Sequence, residues 1–184
     1  KRSLCISAIA AVLFLTHPAV AQDSHTPAAL RTMKYSSRTP KEAFQWQHGI
    51  RTRIFSLLKM SDLIEMRNSI PLESKLIQST KGDNYTRQEW EIRVTPSPKG
   101  RTIKIVLTFP YGPKPPYPAV ICIHGHGGNR FTVYDSTSVY KGFAAELASR
   151  SYVTIACDVG QHDVYGRGRT LMGERLWDLI RCVD

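Results

Sequence analysis

Apolar positions change their spacing along the chain, and the changes predict separate strands. Residues 89–95 and 102–109 alternate between apolar and polar side chains, which is typical of strands with one buried face. The segment 96–100 between them contains two prolines and a glycine, so the two runs predict an antiparallel hairpin. Residues 119–123 are instead continuously apolar, as expected for a parallel strand covered on both faces, and residues 152–157 predict a second buried strand.

Helical spacing occurs in three segments. Residues 40–59 carry an apolar stripe, and Thr39 with Glu42 predicts a capping box at its start. The segments 140–149 and 171–183 each follow one of the two predicted buried strands. Their predicted apolar faces consist of Phe143, Ala144, Leu147 and Ala148 in the first, and Leu176, Leu179, Ile180 and Val183 in the second. The order strand, helix, strand, helix predicts parallel pairing through crossover helices.

The N-terminus has the three parts of an export signal. Lys1 and Arg2 form a cationic start, residues 4–15 are apolar, and Ala19-Val20-Ala21 is a small-residue cleavage site. About a dozen apolar residues are too few for a membrane span, which needs ~20, so we expect export to the periplasm or the exterior and no stable membrane anchor after cleavage. The expected organisation is a signal peptide at 1–21, an arm with a helical extension at 22–80, and the main domain at 81–184.

Composition narrows the class of protein further. The hydrophobic fraction of 42% is that of an ordinary globular chain. The formal net charge is +10, or about +8 without Lys1 and Arg2, but the basic residues are scattered, which favours a solvated surface over a nucleic-acid site. Cys5 belongs to the signal, and the other cysteines are expected to pack as small apolar side chains: Cys122, Cys157 and Cys182. A disulfide between Cys122 and Cys157 is an alternative if their two strands are neighbours.

A glycine-rich turn follows the first continuously apolar strand directly. It reads His124-Gly125-His126-Gly127-Gly128, and a second distinctive loop, 158–168, follows the next strand. Loops at the carboxyl ends of parallel strands line the ligand crevice, so the two loops should converge. Backbone N–H groups of such a turn can bind the negatively charged oxygen that develops during attack on a carbonyl group.

Three segments in this order resemble one family. The turn at 124–128, the loop Asp158-Val159-Gly160-Gln161-His162, and the helix with Gly173-Glu174-Arg175 and Trp177-Asp178 are similar to secreted esterases of the acetyl xylan esterase and dienelactone hydrolase-like group. The resemblance covers residues 85–184. It implies an α/β fold, namely the N-terminal portion of an α/β-hydrolase with an antiparallel hairpin followed by parallel strands and crossover helices, truncated before the nucleophile strand.

The resemblance also implies an activity and a site. It implies a serine-dependent carboxylic ester hydrolase that acts on a small-molecule or carbohydrate ester and needs no cofactor. The N–H of His126, alone or together with that of Gly127, would be one oxyanion donor, and the other would come from the residue that follows the nucleophilic serine. The residues expected to line the site are His124, Gly125, Gly128, Asp158, Gln161 and His162.

The catalytic triad has no candidate within these residues. No Gly-x-Ser-x-Gly sequence occurs, so the 184-residue chain alone is predicted to be inactive. His124 is expected to hold the turn by side-chain hydrogen bonds, and Asp158 to hydrogen-bond its own loop. His126 and His162 are expected to be solvated loop histidines or to contact substrate. The helix charges are expected to lie on the surface, with Arg175 and Asp178 as a pair and with Glu174 and Arg181 also exposed.

Two alternatives remain. His124 and His126 flank one residue, so they could ligate a divalent metal ion together with Asp158, His162 or Asp163, as in a metal-dependent hydrolase. Gly127-Gly128-Asn129 after His126 lacks the Asp-His of metallo-β-lactamase-like proteins, and the residues before His124 lack the Asp-x-His-x-His pattern of amidohydrolases. The second alternative is a secreted binding protein that keeps the hydrolase scaffold without its chemistry, because a fold alone does not establish activity.

Overall fold

A computed structural model describes residues 32–96, 100–112, 114–159, 164 and 168–184. The helices and strands lie in the compact unit Ser37–Asp184. The strands are β1 Lys75–Lys81, β2 Tyr85–Arg93, β3 Thr102–Pro110, β4 Ala119–Ile121 and β5 Val153–Cys157, and the helices are α1 Pro40–Leu57, α2 Ser61–Met66, α3 Phe143–Ser149 and α4 Leu171–Val183. Short 3₁₀ turns occur at Arg67–Ser69 and Thr132–Tyr134. The predicted signal peptide lies outside the described residues.

The predicted hairpin is confirmed. Strands β2 and β3 pair antiparallel from Tyr85 opposite Pro110 to Arg93 opposite Thr102. Residues 97–99 of its predicted turn lie outside the described part of the chain. Strand β1, which the sequence pattern left unassigned, pairs antiparallel with β2. All seven of its residues are exposed, so it lacks the alternation that marks a half-buried strand. The predicted domain boundary at residue 81 stays a prediction, and β1 crosses it.

Parallel pairing of the two apolar strands is also confirmed. Strand β4 pairs parallel with β5, and β5 pairs antiparallel with β3, which gives the mixed sheet order β1-β2-β3-β5-β4. The expectation that residues 119–123 are covered on both faces is wrong in part. Ala119 is exposed and Ile123 is 47% exposed, because among the described residues β4 has a neighbouring strand on one side only.

Helices cover both faces of the sheet, as an α/β fold requires. The first core lies between the sheet and α2 with α4, and its buried members include Met60, Leu63, Ile92, Val94, Ile103, Ile105, Cys157 and Trp177. The second core lies between the other face and α3, and it consists of Val106, Cys122, Val133, Tyr134, Ala144 and Ala156. The Trp177 indole N–H also donates to the Val94 carbonyl oxygen at 2.6 Å, so α4 is joined to the residue that follows β2 within the first core.

Helix α1 begins as predicted but packs less than predicted. Thr39 and Glu42 form the capping box, and Pro40 occupies the first turn. The apolar stripe suggested packing along the whole helix, yet α1 contains no buried residue and Phe44 is 70% exposed. Only its C-terminal end, through Phe55 and the following Leu58, packs against the first core.

Helix α4 occupies the predicted range, but its buried face differs from the prediction. Its buried residues are Gly173, Trp177, Asp178, Arg181 and Cys182, whereas Val183 is 64% exposed. Gly173 allows close packing because a Cβ there would lie 2.2 Å from the Leu58 carbonyl oxygen. Val183 was therefore assigned to the wrong side of the helix.

The predicted surface location of the helix charges is wrong. Asp178 is fully buried, and its carboxylate accepts from the Arg101 guanidinium at 2.9 Å. Glu174 accepts from the same guanidinium at 2.8 Å, and Arg181 is 3% exposed and donates to the Ile70 carbonyl oxygen at 2.6 Å. The spacing along α4 showed only neighbours on the helix, whereas these partners are distant in sequence.

Cysteines 122, 157 and 182 are all free and buried, so they pack as expected and the Cys122–Cys157 bridge is not formed. Burial raises the pKa of the Cys122 thiol to about 11. A hydrogen bond with Cys157, together with burial, raises the pKa of the Cys182 thiol. Within the described ranges, no helix combines the length and the apolarity that crossing a membrane requires.

Candidate active site

Close contacts explain the glycines of the turn that follows β4. A Cβ at Gly125 would lie 2.6 Å from the Tyr140 hydroxyl oxygen, and a Cβ at Gly128 would lie 3.0 Å from His124. Gly127 has a φ of +76°, a backbone conformation that favours glycine, with open space around it. The turn is therefore packed tightly at two positions and left-handed at a third.

His124 joins the turn to the end of β5. The ring is buried, and its Nε2 accepts from the Val159 backbone N–H at 3.2 Å. Since a backbone N–H can only donate, Nε2 must carry the lone pair and Nδ1 the proton. The Nδ1–H then donates to the Gly125 carbonyl oxygen at 2.8 Å. These hydrogen bonds are of the kind expected from the sequence.

The backbone N–H groups of the turn differ in what they bind. The Gly125 N–H donates to the Tyr140 hydroxyl oxygen. The Gly128 N–H donates to the Gly125 carbonyl oxygen at 3.2 Å, and the Asn129 N–H donates to the Thr132 hydroxyl at 2.9 Å. In the described part of the chain, no such bond engages the N–H of His126 or of Gly127. These two groups are available to a ligand oxygen.

A cavity of about 580 Å³ opens beside the turn. Its wall consists of residues 123–128 on one side and of Val159 with Met172, Arg175 and Leu179 on the other. The two loop ends therefore converge, as the parallel topology predicted. The volume lies within the range of about 300–1,000 Å³ typical of ligand sites, and mostly apolar walls with a few polar groups are typical of such sites too.

Asp158 holds the second loop end to the turn. Its Oδ1 accepts from the Arg130 backbone N–H at 2.6 Å, and its Oδ2 accepts from the Arg130 guanidinium at 2.7 Å. The same guanidinium donates to Glu89 of β2 through Nε at 3.1 Å and lies 4.5 Å from the centre of the Phe131 ring. Because both oxygens of Asp158 accept hydrogen bonds, the geometry favours a role in holding the loop over a role as a catalytic base.

Sequence reasoning missed two residues around this turn: Tyr140, which contacts Gly125, and Arg130, which binds Asp158 at the start of the second loop. Arg130 was one of many scattered basic residues, and Tyr140 lies in the segment before α3, where spacing suggests only a helix start. Neither residue belongs to a motif that points to the turn. Their roles depend on contacts across 15 residues or more, which spacing alone does not show.

The metal alternative gains no support from the donor atoms. Both ring nitrogens of His124 already take part in hydrogen bonds, so metal binding would require the loss of one of them. Among the residues that the structure describes, no group of three or more His, Cys, Asp or Glu side chains is placed to hold a metal ion. Gln161, His162 and Asp163 lie outside those residues. The side chain of His126 is exposed.

Comparison with known proteins gives a family and a fold. The model of the Abhydrolase family matches residues 25–165. A proposed acetyl xylan esterase from Bacteroides fragilis has a similar structure, with a TM-score of 0.62 and 18% identity over 83% of this chain and 45% of that one. A glucuronoyl esterase from Solibacter usitatus matches with a TM-score of 0.46 and 13% identity over 61% of this chain and 41% of that one. No curated protein sequence matches significantly.

The chain therefore spans less than half the length of these solved structures. The likeness to the Bacteroides fragilis structure supports the α/β-hydrolase fold, including the mixed sheet and the helices on both of its faces. The expected fold class is confirmed.

Proposed function

Because the chain belongs to the Abhydrolase family, we propose that the complete protein hydrolyses carboxylic esters and that the N–H groups of His126 and Gly127 bind the oxyanion. The proposal rests on which backbone N–H groups of the turn have hydrogen-bond acceptors. Among the N–H groups of residues 125–129, those of positions 125, 128 and 129 have acceptors, whereas those of His126 and Gly127 lack one and lie on the cavity wall. Donors placed in advance stabilise developing charge without reorganisation.

The proposed reaction proceeds in two transfers of the acyl group. The nucleophile is proposed to be a serine outside these 184 residues, whose oxygen bonds to the ester carbonyl carbon while its proton passes to a histidine base. The carbonyl π electrons move onto the oxygen, which accepts hydrogen bonds from the two turn N–H groups. Collapse of this intermediate breaks the bond to the alcohol, which takes the proton from the histidine. Water then repeats the sequence on the acyl-enzyme and releases the acid.

Acetylated carbohydrate is the proposed substrate class, in keeping with the resemblance of the turn and loop segments to acetyl xylan esterases. The Bacteroides fragilis structure, itself described as a proposed acetyl xylan esterase, is consistent with that choice. We further propose export to the periplasm or the exterior, as the cationic and apolar N-terminus predicts. Neither a cofactor nor a nucleic-acid partner forms part of the proposal.

Inhibitors separate the serine mechanism from the metal alternative. The complete protein should release p-nitrophenol from p-nitrophenyl acetate and acetate from acetylated xylan. A serine-directed phosphonate should abolish both activities, because it occupies the nucleophile, whereas a chelator should leave them unchanged. Loss of activity with the chelator alone would support the metal-dependent hydrolase instead. A protein that hydrolyses neither ester would support the binding-protein alternative.

A substitution at Gly127 tests the donors themselves. Gly127→Val places a β-branched residue at a φ of +76° and should move the turn, so kcat should fall by about 10²–10³, the effect of losing one oxyanion donor. Gly112→Val is the matched control, because Gly112 also has a positive φ, +99°, and open space, but is not among the residues lining the cavity. Both variants should lose similar stability in thermal unfolding. An unchanged kcat in the Gly127 variant would refute the assignment.

A further inference from the structure

Two side chains hold the two peptide groups that flank Gly125. The peptide before it is held through its N–H, which donates to the Tyr140 hydroxyl. The peptide after it is held through the Gly125 carbonyl oxygen, which accepts from the His124 ring at 2.8 Å and from the Gly128 N–H at 3.2 Å. Tyr140 and His124 thus fix the residue from both sides.

The second of these peptides contains the N–H of His126. A trans peptide is planar, so its C=O and N–H point in opposite directions. Because the Gly125 carbonyl group is directed at the His124 ring, the His126 N–H must point away from that ring. The orientation of the proposed oxyanion donor is therefore set by the acceptor on the other side of the same peptide plane.

Glycine makes this external support necessary. Without a Cβ, Gly125 has wide freedom in φ and ψ, and the plane that follows it can rotate unless other groups hold it. The proton position on His124 is itself fixed by the Val159 N–H, which requires a lone pair on Nε2. The end of β5 thereby determines which ring nitrogen can donate to the Gly125 carbonyl oxygen.

We propose that Tyr140 and His124 are positioning residues that together aim the His126 N–H at the oxyanion. The proposal rests on the proposed esterase function and adds to it two side chains that touch the turn but need not touch the substrate. The two side chains orient the His126 N–H before the substrate binds. This orientation raises kcat and leaves the affinity for the ground-state substrate unchanged.

Three tyrosine-to-phenylalanine variants of the complete protein test the first side chain. Tyr140→Phe removes the acceptor of the Gly125 N–H, so kcat should fall about 10- to 100-fold with KM within about twofold. Tyr134→Phe removes a buried hydroxyl that bonds Thr154 at 2.9 Å, and it should lower the melting temperature without lowering kcat. Tyr111→Phe removes an exposed hydroxyl bonded to Thr86 at 3.0 Å and should change neither.

Two substitutions of His124 test the second side chain. An asparagine amide N–H can replace the Nδ1–H, whereas a glutamine side chain reaches the position of Nε2 and does not replace that donor. His124→Asn should therefore keep more of kcat than His124→Gln, although both lose the original ring. Equal loss in the two variants, together with an unchanged kcat in Tyr140→Phe, would overturn the proposal.

A crystal structure of the Tyr140→Phe protein separates this proposal from the proposed function. We expect the two peptides that flank Gly125 to rotate relative to the wild-type protein. If the wild-type protein has no esterase activity but these peptides rotate, the esterase assignment fails while the positioning role of Tyr140 stands. If the wild-type protein is an esterase and the peptides keep their orientation in the variant, the positioning role fails while the esterase assignment stands.

Discussion

Burial determines the reactivity of Cys122. The side chain is 1% exposed, and burial raises its pKa to about 11. The thiolate is the reactive form, and at pH 8 a thiol with that pKa is about 0.1% ionised, compared with roughly a quarter for an ordinary cysteine of pKa 8.5. A raised pKa means that reactivity increases with pH until the pH passes about 11.

Thiol labelling checks this prediction. In the folded complete protein at pH 8, Cys122 should react with iodoacetamide at least about 100-fold more slowly than in denaturant, as measured by mass spectrometry of the labelled peptide. The rate should increase about tenfold for each pH unit between 8 and 10 as long as the fold persists. Equal rates in the native and the denatured protein would contradict the burial of this side chain.

Single polar residues were predictable where their partners are local. The structure gives His124 its bond to the neighbouring Gly125, and spacing within the turn suggested a bond of this kind. Asp178 was not predictable, since its partner Arg101 lies 77 residues away and beyond the hairpin turn. The sequence shows a charge at helical spacing, but whether that charge faces solvent depends on what packs over the helix.

A partly buried cluster of ion pairs links α4 to the residue before β3. Arg101 donates to Asp178 and Glu174, whose side chains are 0% and 11% exposed. Removing one partner from a buried ion pair leaves a charge in a poorly solvated site, which typically costs about 3–5 kcal/mol. The Arg101 side chain is itself 25% exposed, which places the expected cost near the lower end of that range.

Chemical denaturation of the complete protein measures this cost. Arg101→Met should lower the free energy of unfolding by about 3 kcal/mol. Arg150→Met is the matched control, because Arg150 pairs with Glu146 at 2.7 Å while both side chains are more than 60% exposed, and this variant should lose less than about 0.5 kcal/mol. Equal losses in the two variants would show that Asp178 does not depend on Arg101.

Element boundaries were predictable where the chain carries end signals. Thr39 with Glu42 marks the start of α1, where the capping box is formed. Strand β1 carries no such signal, since all its residues are exposed and its pairing with β2 shifts register between Leu76 and Gln78. An exposed edge strand is held mainly by its backbone ladder, which leaves little trace in the hydrophobic pattern.

The two predicted buried strands account for only part of the strand order. Their parallel pairing was predicted from the intervening helix, and it places the turn at 124–128 beside the end of β5. The sequence could not show the antiparallel pairing of β3 with β5, because those strands are separated by β4 and α3. Site geometry thus depends on a sheet order that local patterns constrain only in part.

The edge of β4 and the cavity form one apolar surface in the described part of the molecule. Ile123 is 47% exposed and lies on the cavity wall with Met172, Val159 and Leu179. An unpaired apolar edge promotes association between chains. We therefore expect a polypeptide limited to these 184 residues to self-associate and to bind the dye ANS, and we expect the remainder of the complete protein to cover this surface at Ile123 while it leaves the rest of the cavity open to substrate.

A charge at position 123 should therefore reduce the self-association of the 184-residue polypeptide but destabilise the complete protein. In the 184-residue polypeptide, Ile123→Lys should reduce self-association in light scattering and reduce ANS fluorescence, because charges at edges oppose pairing. In the complete protein the same change should lower the melting temperature, since the lysine becomes buried. Val139→Lys is the control, because Val139 is 87% exposed and is not part of the cavity wall, so it should alter neither measurement. A melting temperature unchanged by Ile123→Lys would mean that this surface stays open to solvent in the complete protein.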